Sequence, residues 1–497
     1  MHAIPINAIT FFMGGDVSQG IAFVKSPNKS LLAVLDLVGD NAADCNTIAE
    51  MTESQRVLRL LRQFESRNVT FVSRDGSWPI VWSRAKGVRV WDADGRRYVD
   101  LTAGFGVANT GHANARVVKA AKQQISRLPH AMGDVHPHPL KAELARTLSQ
   151  ITFERWRCGQ DGKTVFGNSG FEAVEAALKT AMLATGRPGV IVFEGAYHGL
   201  GYGALTVTHR DFFRAPFIKQ LGGFACFAPF PLAGPIWAVG ASAALHEDQV
   251  KLEKTMTAME RIAGKRAIGA VLVEPVQGRA GIRIPVRGFL SALRSWCDAN
   301  DVLLILDEIY TGFGRTGAWF ACEHENVVPD LVCLGKALTG GFPLSACVGK
   351  ADLMDAAWPE ATGEAIHTST FLGNPIGCAM ALAQIGELKA RGLIERSARL
   401  GKLLLEQLRL IRATSRLILN PRGIGLMAGL ELLQRDCSPA TSEAVSVMKE
   451  MLRCGYIILA EGEFSNVLSI APPLTIGAAD IQRAVHAIEQ ALLKCAR

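Results

Sequence analysis

Residues 302–346 read VLLILDEIYTGFGRTGAWFACEHENVVPDLVCLGKALTGGFPLSA. Two short apolar runs, VLLIL at 302–306 and LVCL at 331–334, have the length and composition of buried strands. Each ends in a residue with chemistry: Asp307-Glu308 closes the first, and Gly335-Lys336 closes the second. Between them the glycines of GFGRTG at 312–317 fall as G-x-G-x-x-G. A dinucleotide fingerprint needs its first glycine at the strand end and an acid closing the next strand. Here five polar or turn residues intervene, and the next strand closes on lysine. With 49 glycines in the chain the spacing also arises by chance, so a dinucleotide site is rejected.

Outward from this stretch, GVIVFEG from 189 and IGAVLVEPV from 268 are further apolar, β-branched runs separated by helical patterns. That alternation predicts an α/β fold with a mainly parallel sheet covered by helices over 110–375. On the N-terminal side, GVRVWDADGRRYVDL at 87–101 predicts a hairpin turning at Asp94-Gly95, within a segment 51–109 assigned to a smaller domain. The same small domain is completed by 376–497, read as α+β: helix-rich first, then strands at GLMAGLELL and NVLSIAPPL, then a helix from Ala478. Clear helical spacing starts at SQRVLRLLRQFES (54–66), and residues 1–50 are read as an appendage of unknown role.

A chain of 497 residues suits two or three domains with a buried site between them. Its charge of +7 is spread without a basic run, which argues against a nucleic-acid surface. The eleven cysteines are scattered and none forms C-x-x-C, so neither a disulfide framework nor a metal site is expected, and a reducing cytoplasm fits. No window has the apolar length of a membrane span, and the first twenty residues lack the regions of a signal peptide.

Lys336 and Asp307, each at the carboxyl end of a parallel strand, sit where open α/β sheets bind ligands. A lysine amine can hold an aldehyde cofactor as a Schiff base, and a carboxylate can keep a pyridine nitrogen protonated; pyridoxal phosphate requires that pair. Taken singly, a solvated lysine and a strand-end acid serving as cap or ion pair are the commoner cases. The wider stretch decides between them, because 302–346 resembles the signature region of the class III, or omega, aminotransferases, pyridoxal-phosphate enzymes of fold type I. The resemblance runs from about residue 75 to 490. It implies that GFGRTG is a structural turn after the cofactor aspartate.

The resemblance also implies site residues. FGNSGFEAVEAAL at 166–178 is similar to the phosphate corner, with Ser169 and Gly170 before a helix whose free N–H groups suit an anion, although a plain helix cap at Asn168 or Ser169 is compatible. Phe171 stands where the family has threonine. Tyr197, with His198 beside it, matches the ring that stacks on the cofactor. Glu274 and Gln277 match a pair near the cofactor ring, Gln277 being assigned to its phenolic oxygen. Thr370 matches a threonine that reaches the phosphate of a neighbouring subunit, which implies a homodimer with shared sites; its alternative is a cap for the helix after Asn374-Pro375. Two departures bear on substrate. Many glutamate-using members carry an acid where Arg279 stands and an arginine where Ser469 stands, an ion pair that opens for carboxylates. Its absence points toward pyruvate or another acceptor over 2-oxoglutarate. Arg279 and Arg422 are the candidate substrate residues, and donor choice is assigned to loops near 104–108, 130–138 and 210–217.

The implied reaction is ping-pong transfer of an amino group from a primary amine or omega-amino acid to a 2-oxo acid, with Lys336 as covalent anchor and proton carrier. An aminomutase or epimerase on the same fold is the nearest alternative, and a non-catalytic binding or dimerisation protein is the alternative from another class.

Overall fold

Three hairpin-linked strands, β1 (Trp82–Lys86), β2 (Arg89–Asp92) and β3 (Arg97–Asp100), follow a first helix, α1 (Glu53–Phe64), in the computed structural model. It describes residues 51–73, 75–234, 241–412 and 416–495; the appendage expected at 1–50 lies outside them. Thr52 and Gln55 close a reciprocal capping box at the start of α1. The β2–β3 turn uses Gly95 at φ +88°, a conformation that a residue with a Cβ resists.

The central sheet holds β4 (Gly162–Gly167), β5 (Gly189–Phe193), β6 (Ala225–Ala228), β7 (Ile268–Val273), β8 (Leu303–Asp307), β9 (Leu331–Leu334) and β10 (Ser345–Lys350). Their order is β4-β10-β9-β8-β7-β5-β6. β5 to β9 pair in parallel, and β10 runs antiparallel to both its neighbours. One face packs on α2 (Gly170–Thr185) through Val174, Ala177 and Ala181, and the other, through residues such as Phe193, on Met259, Phe289 and Leu293. Burial on both faces is why β7 is apolar at every position that carries a side chain instead of alternating. Asp307 and Lys336 thus arrive at one edge, because β8 and β9 are parallel neighbours.

The turn after β8 joins this sheet to the C-terminal elements. Phe313, Gly314 and Gly317 take positive φ, and a Cβ on Gly317 would lie 2.8 Å from Ala398 Cα on α4 (Leu393–Arg409), the helix after α3 (Pro375–Ala390). Arg315 is fully buried. It donates to Leu426 O at 2.8 Å and Pro472 O at 2.6 Å, and to the Asn109 side chain. GFGRTG is therefore a clasp between three distant segments.

Beyond α4, β11 (Leu417–Ile424), β12 (Met427–Gln434), β14 (Leu459–Glu461) and β15 (Val467–Ile470) form a four-stranded antiparallel sheet ordered β11-β12-β15-β14. The intervening β13 (Tyr456–Ile457) leaves it to pair in parallel with β3, so the N- and C-terminal parts share a sheet. A closing helix, α5 (Ala478–Cys495), packs against α4. Among the described residues, no helix is long and apolar enough to cross a membrane, and no group of ligating side chains could hold a metal.

Candidate active site

A cavity of about 430 Å³ opens at the carboxyl edge of the parallel strands, lined by Gly170, Phe171, Tyr197, His198, Glu274, Arg279, Asp307, Tyr310 and Lys336 among others. Lys336 follows β9 at φ +34°, an uncommon backbone for a residue with a side chain and the kind of strain that persists where surrounding structure over-determines it. Its burial lowers the amine's pKa, against the opposing pull of Asp307, Glu274 and Glu461.

Asp307 is 4% exposed and spends one oxygen on Ile309 N at 3.1 Å. The other lies 2.8 Å from His198 Nδ1, so the imidazole braces the carboxylate from the side. His198 Nε2 is buried without a partner. Glu274 accepts from Tyr197 N at 2.9 Å and Gly278 N at 3.0 Å. Burial raises its pKa to about 7, aided by Asp307 and opposed by His198.

At the start of α2, Ser169 occupies the cap position, but its hydroxyl caps no backbone N–H and is buried without a partner. Phe171 projects into the cavity, and the missing Cβ atoms of Gly199 and Gly201 leave the room for it: one on Gly199 would lie 2.4 Å from Phe171 Cβ. The Tyr197 ring meets Phe213 edge-on at 5.5 Å, and the Arg279 guanidinium lies 5.0 Å above it.

Three expected residues lie off this wall. Gln277 is wholly buried: its amide donates to Glu194 O at 2.9 Å, while its Oε1 is enclosed without a partner. Arg422 is consumed by Glu431 at 2.6 Å and by the carbonyls of Gly281 and Ile282, and it lines a neighbouring cavity. Thr370 is exposed on a loop whose Ser369 reaches Asn168 of the same chain at 3.5 Å.

A family model, aminotransferase class-III, matches residues 71–492. The chain belongs to the class III aminotransferases. The 5-aminovalerate aminotransferase of Pseudomonas aeruginosa is 36% identical over 411 residues, covering 82% of this chain and 91% of that one. The 4-aminobutyrate aminotransferase of Mycobacterium bovis is 36% identical over 413 residues, covering 80% and 88%. Among solved structures, a pyridoxal-phosphate-bound amine transaminase from an uncultivated Pseudomonas species superposes with a TM-score of 0.77 at 29% identity, covering 87% of this chain and 99% of that one. Ornithine aminotransferase of Toxoplasma gondii superposes at 0.75 with 26% identity, covering 92% and 99%. The chain is thus a transferase of fold type I whose cofactor is pyridoxal phosphate.

Two side chains of this class III aminotransferase were not singled out from the sequence. Tyr310 places its ring 4.8 Å from Lys336 Nζ, gripped between Gly106 and Gly278, on either of which a Cβ would lie 2.3 Å from the ring. Its place three residues past Asp307, on the turn at the sheet edge, was the available signal. Glu461, at the end of β14, feels Arg279, Lys336 and Arg210, and its Oε2 is enclosed without a hydrogen-bond partner. Nothing in its local sequence marks it.

Proposed function

We propose that this aminotransferase moves the amino group of a primary amine or omega-amino acid to a 2-oxo acid, working at the Lys336 cavity. One observation carries the assignment of residues: a buried lysine and a braced aspartate at the ends of adjacent parallel strands, facing one cavity. The names of the relatives, which act on 4-aminobutyrate and 5-aminovalerate, support an omega-amino acid donor. With the family's ion pair missing at Arg279 and Ser469, pyruvate is the favoured acceptor.

The cavity suits pyridoxal phosphate. The free N–H groups and unpartnered Ser169 hydroxyl at the start of a 16-residue helix fit a phosphate, and Asp307 fits a pyridinium nitrogen. When bound, that cofactor supplies an electron sink for the carbon that loses its proton. Lys336 would hold it covalently; burial favours the neutral amine, the form that can attack a carbonyl and carry a proton. His198 keeps Asp307 oriented, Glu274 fixes the backbone carrying Tyr197, and Tyr310 and Tyr197 wall the reacting space from water.

Thr370 belongs to a second copy's site under the same reading. Its exposure, and the exposed Ile366, Phe371, Met132 and Val135 on two loops that touch through His130 and Phe371, support a homodimer. Sedimentation as a monomer at working concentration would count against it. The ten described cysteines, all free, suit a reducing cytoplasm.

The test is an absorbance spectrum of the holoprotein, before and after adding omega-amino acids without an acceptor, beside Lys336→Ala. The expected result is a visible cofactor band that the donors bleach and that the variant lacks in that form. No such band after reconstitution would overturn the proposal.

A further inference from the structure

Phe171 is the second residue of α2, at a helix end whose free N–H groups and enclosed, unpartnered Ser169 hydroxyl suit an anion, yet its ring offers no donor. It is 36% exposed and lines the Lys336 cavity, so filling the core does not account for it. What the ring touches is a turn. A Cβ on Gly199 would lie 2.4 Å from Phe171 Cβ, and one on Gly201 would lie 2.6 Å from Phe171 Cδ2. Glu175, one helical turn on and on the same face of α2, meets the next part of that segment. A Cβ on Gly203 would lie 2.3 Å from Glu175 Oε2, and Ala204 N donates to Glu175 Oε1 at 3.0 Å. Glycines at alternate positions, Gly199, Gly201 and Gly203, thus let the backbone lie directly against Phe171 and Glu175.

The turn held in this way carries side chains of the site. Tyr197 and His198 come just before Gly199; Tyr197 lines the cavity, and His198 Nδ1 lies 2.8 Å from Asp307. Polar bonds fix the start of the turn: Glu274 accepts from Tyr197 N at 2.9 Å, and Thr208 Oγ1 accepts from His198 N at 3.0 Å. The α2 face fixes its continuation. Gly201 has φ −64° and ψ 150°, a backbone that any residue adopts, so its missing side chain answers to the Phe171 ring and not to its own conformation.

We propose that Phe171 is a positioning residue that couples the phosphate corner to the Tyr197–His198 turn. The first turn of α2 presents its N–H groups to a phosphate and the Phe171 ring to Gly199 and Gly201. A phosphate that fixes the corner therefore also fixes the turn, and with it the tyrosine of the cavity wall and the imidazole that braces Asp307. Loss of the ring frees the turn to move and lets the cofactor go sooner. This role rests on the Lys336 cavity holding pyridoxal phosphate.

The experiment follows the release of pyridoxal phosphate from loaded protein diluted into a scavenger of free cofactor, together with the circular dichroism of the visible cofactor band. It compares the parent with Phe171→Ala, Phe171→Tyr, Gly201→Ala and the Phe171→Ala, Gly201→Ala double variant. Phe171→Ala is expected to speed release about tenfold and to weaken the dichroism, which reports how asymmetrically the turn surrounds the cofactor. Phe171→Tyr keeps the ring and is expected to keep both values near the parent's. Gly201→Ala is expected to match Phe171→Ala, because the new methyl displaces the ring; in the double variant, where that room is free, it adds less than about twofold. If Gly201→Ala does not fold, the contrast between alanine and tyrosine at partly exposed Phe171 decides the matter. A Phe171→Ala that keeps the parent's release rate and dichroism would overturn the coupling, as would a Gly201→Ala whose effect is the same with and without the ring. A parent that shows no visible band removes the assignment of the cavity and the coupling with it, whereas a parent band that neither substitution moves removes the coupling alone.

Discussion

Glu308, next to the Asp307 of the site, shows how one buried residue sets a pH dependence. It is fully buried, accepting from Cys322 N at 2.9 Å and from the Thr311 hydroxyl. Burial is the largest effect on it and raises its pKa from the ordinary 4.5 to about 7. Between those two values the folded protein holds a proton that the unfolded chain has released, so this group's contribution to stability falls as pH rises through that window. Glu308→Gln removes the titration. Thermal unfolding of the variant and the parent should therefore shift in the variant's favour between about pH 5 and about pH 8, by up to roughly 3 kcal/mol. A gap that stays constant with pH would mean Glu308 is ionised throughout. The sequence displayed Asp307 and Lys336 because each closes an apolar run; it placed Glu308 and Tyr310 on the same turn without saying what either side chain meets. Their roles depend on which way the turn points them: Glu308 inward onto Thr311 and Cys322, and Tyr310 between Gly106 and Gly278.

Two chain segments, the turn after β7 and the kinked 103–106 stretch, close like jaws on Tyr310. Gly278 has no unusual φ, so its need for glycine is purely steric: a Cβ there would lie 2.3 Å from Tyr310 Cδ1. Gly278→Ala must push the ring off its position 4.8 Å from Lys336 Nζ. The expected outcome is a fall in kcat of about tenfold or more, from misplacement next to the reacting groups, with a loss of about 1–3 kcal/mol in urea unfolding from overpacking. Unchanged turnover would show that Tyr310 is free to move without consequence. The strands and the hairpin were legible from apolar runs and an Asp-Gly turn, since both are local patterns. The grip on Tyr310 was not, because steric fit between segments leaves no period in either.

Across the whole molecule, Arg315 is the tie. Its three acceptors come from the loop at 109, the β11–β12 turn and the segment after β15. Arg315→Met would leave two carbonyls and an amide oxygen unpaired in a dry interior, costing about 3–5 kcal/mol in urea unfolding. A cost under about 1 kcal/mol would show that water or a shifted neighbour replaces it. Membership of the family, the four parallel strands that begin near 189, 268, 303 and 331, and the positions of Lys336 and Asp307 at strand ends were determined by sequence alone, because buried parallel strands must be apolar and ligand-binding residues must stand at their carboxyl ends; the sheet order and the antiparallel strand at 345–350 were not. The tertiary structure alone decided that Gln277 and Arg422 are turned away, that His198 braces Asp307, and that Arg210, Arg279 and Glu461 share one corner. Those outcomes come from crossovers that bring three separate elements together and from the burial that sets the worth of each charge. A chain of residues read in order contains neither.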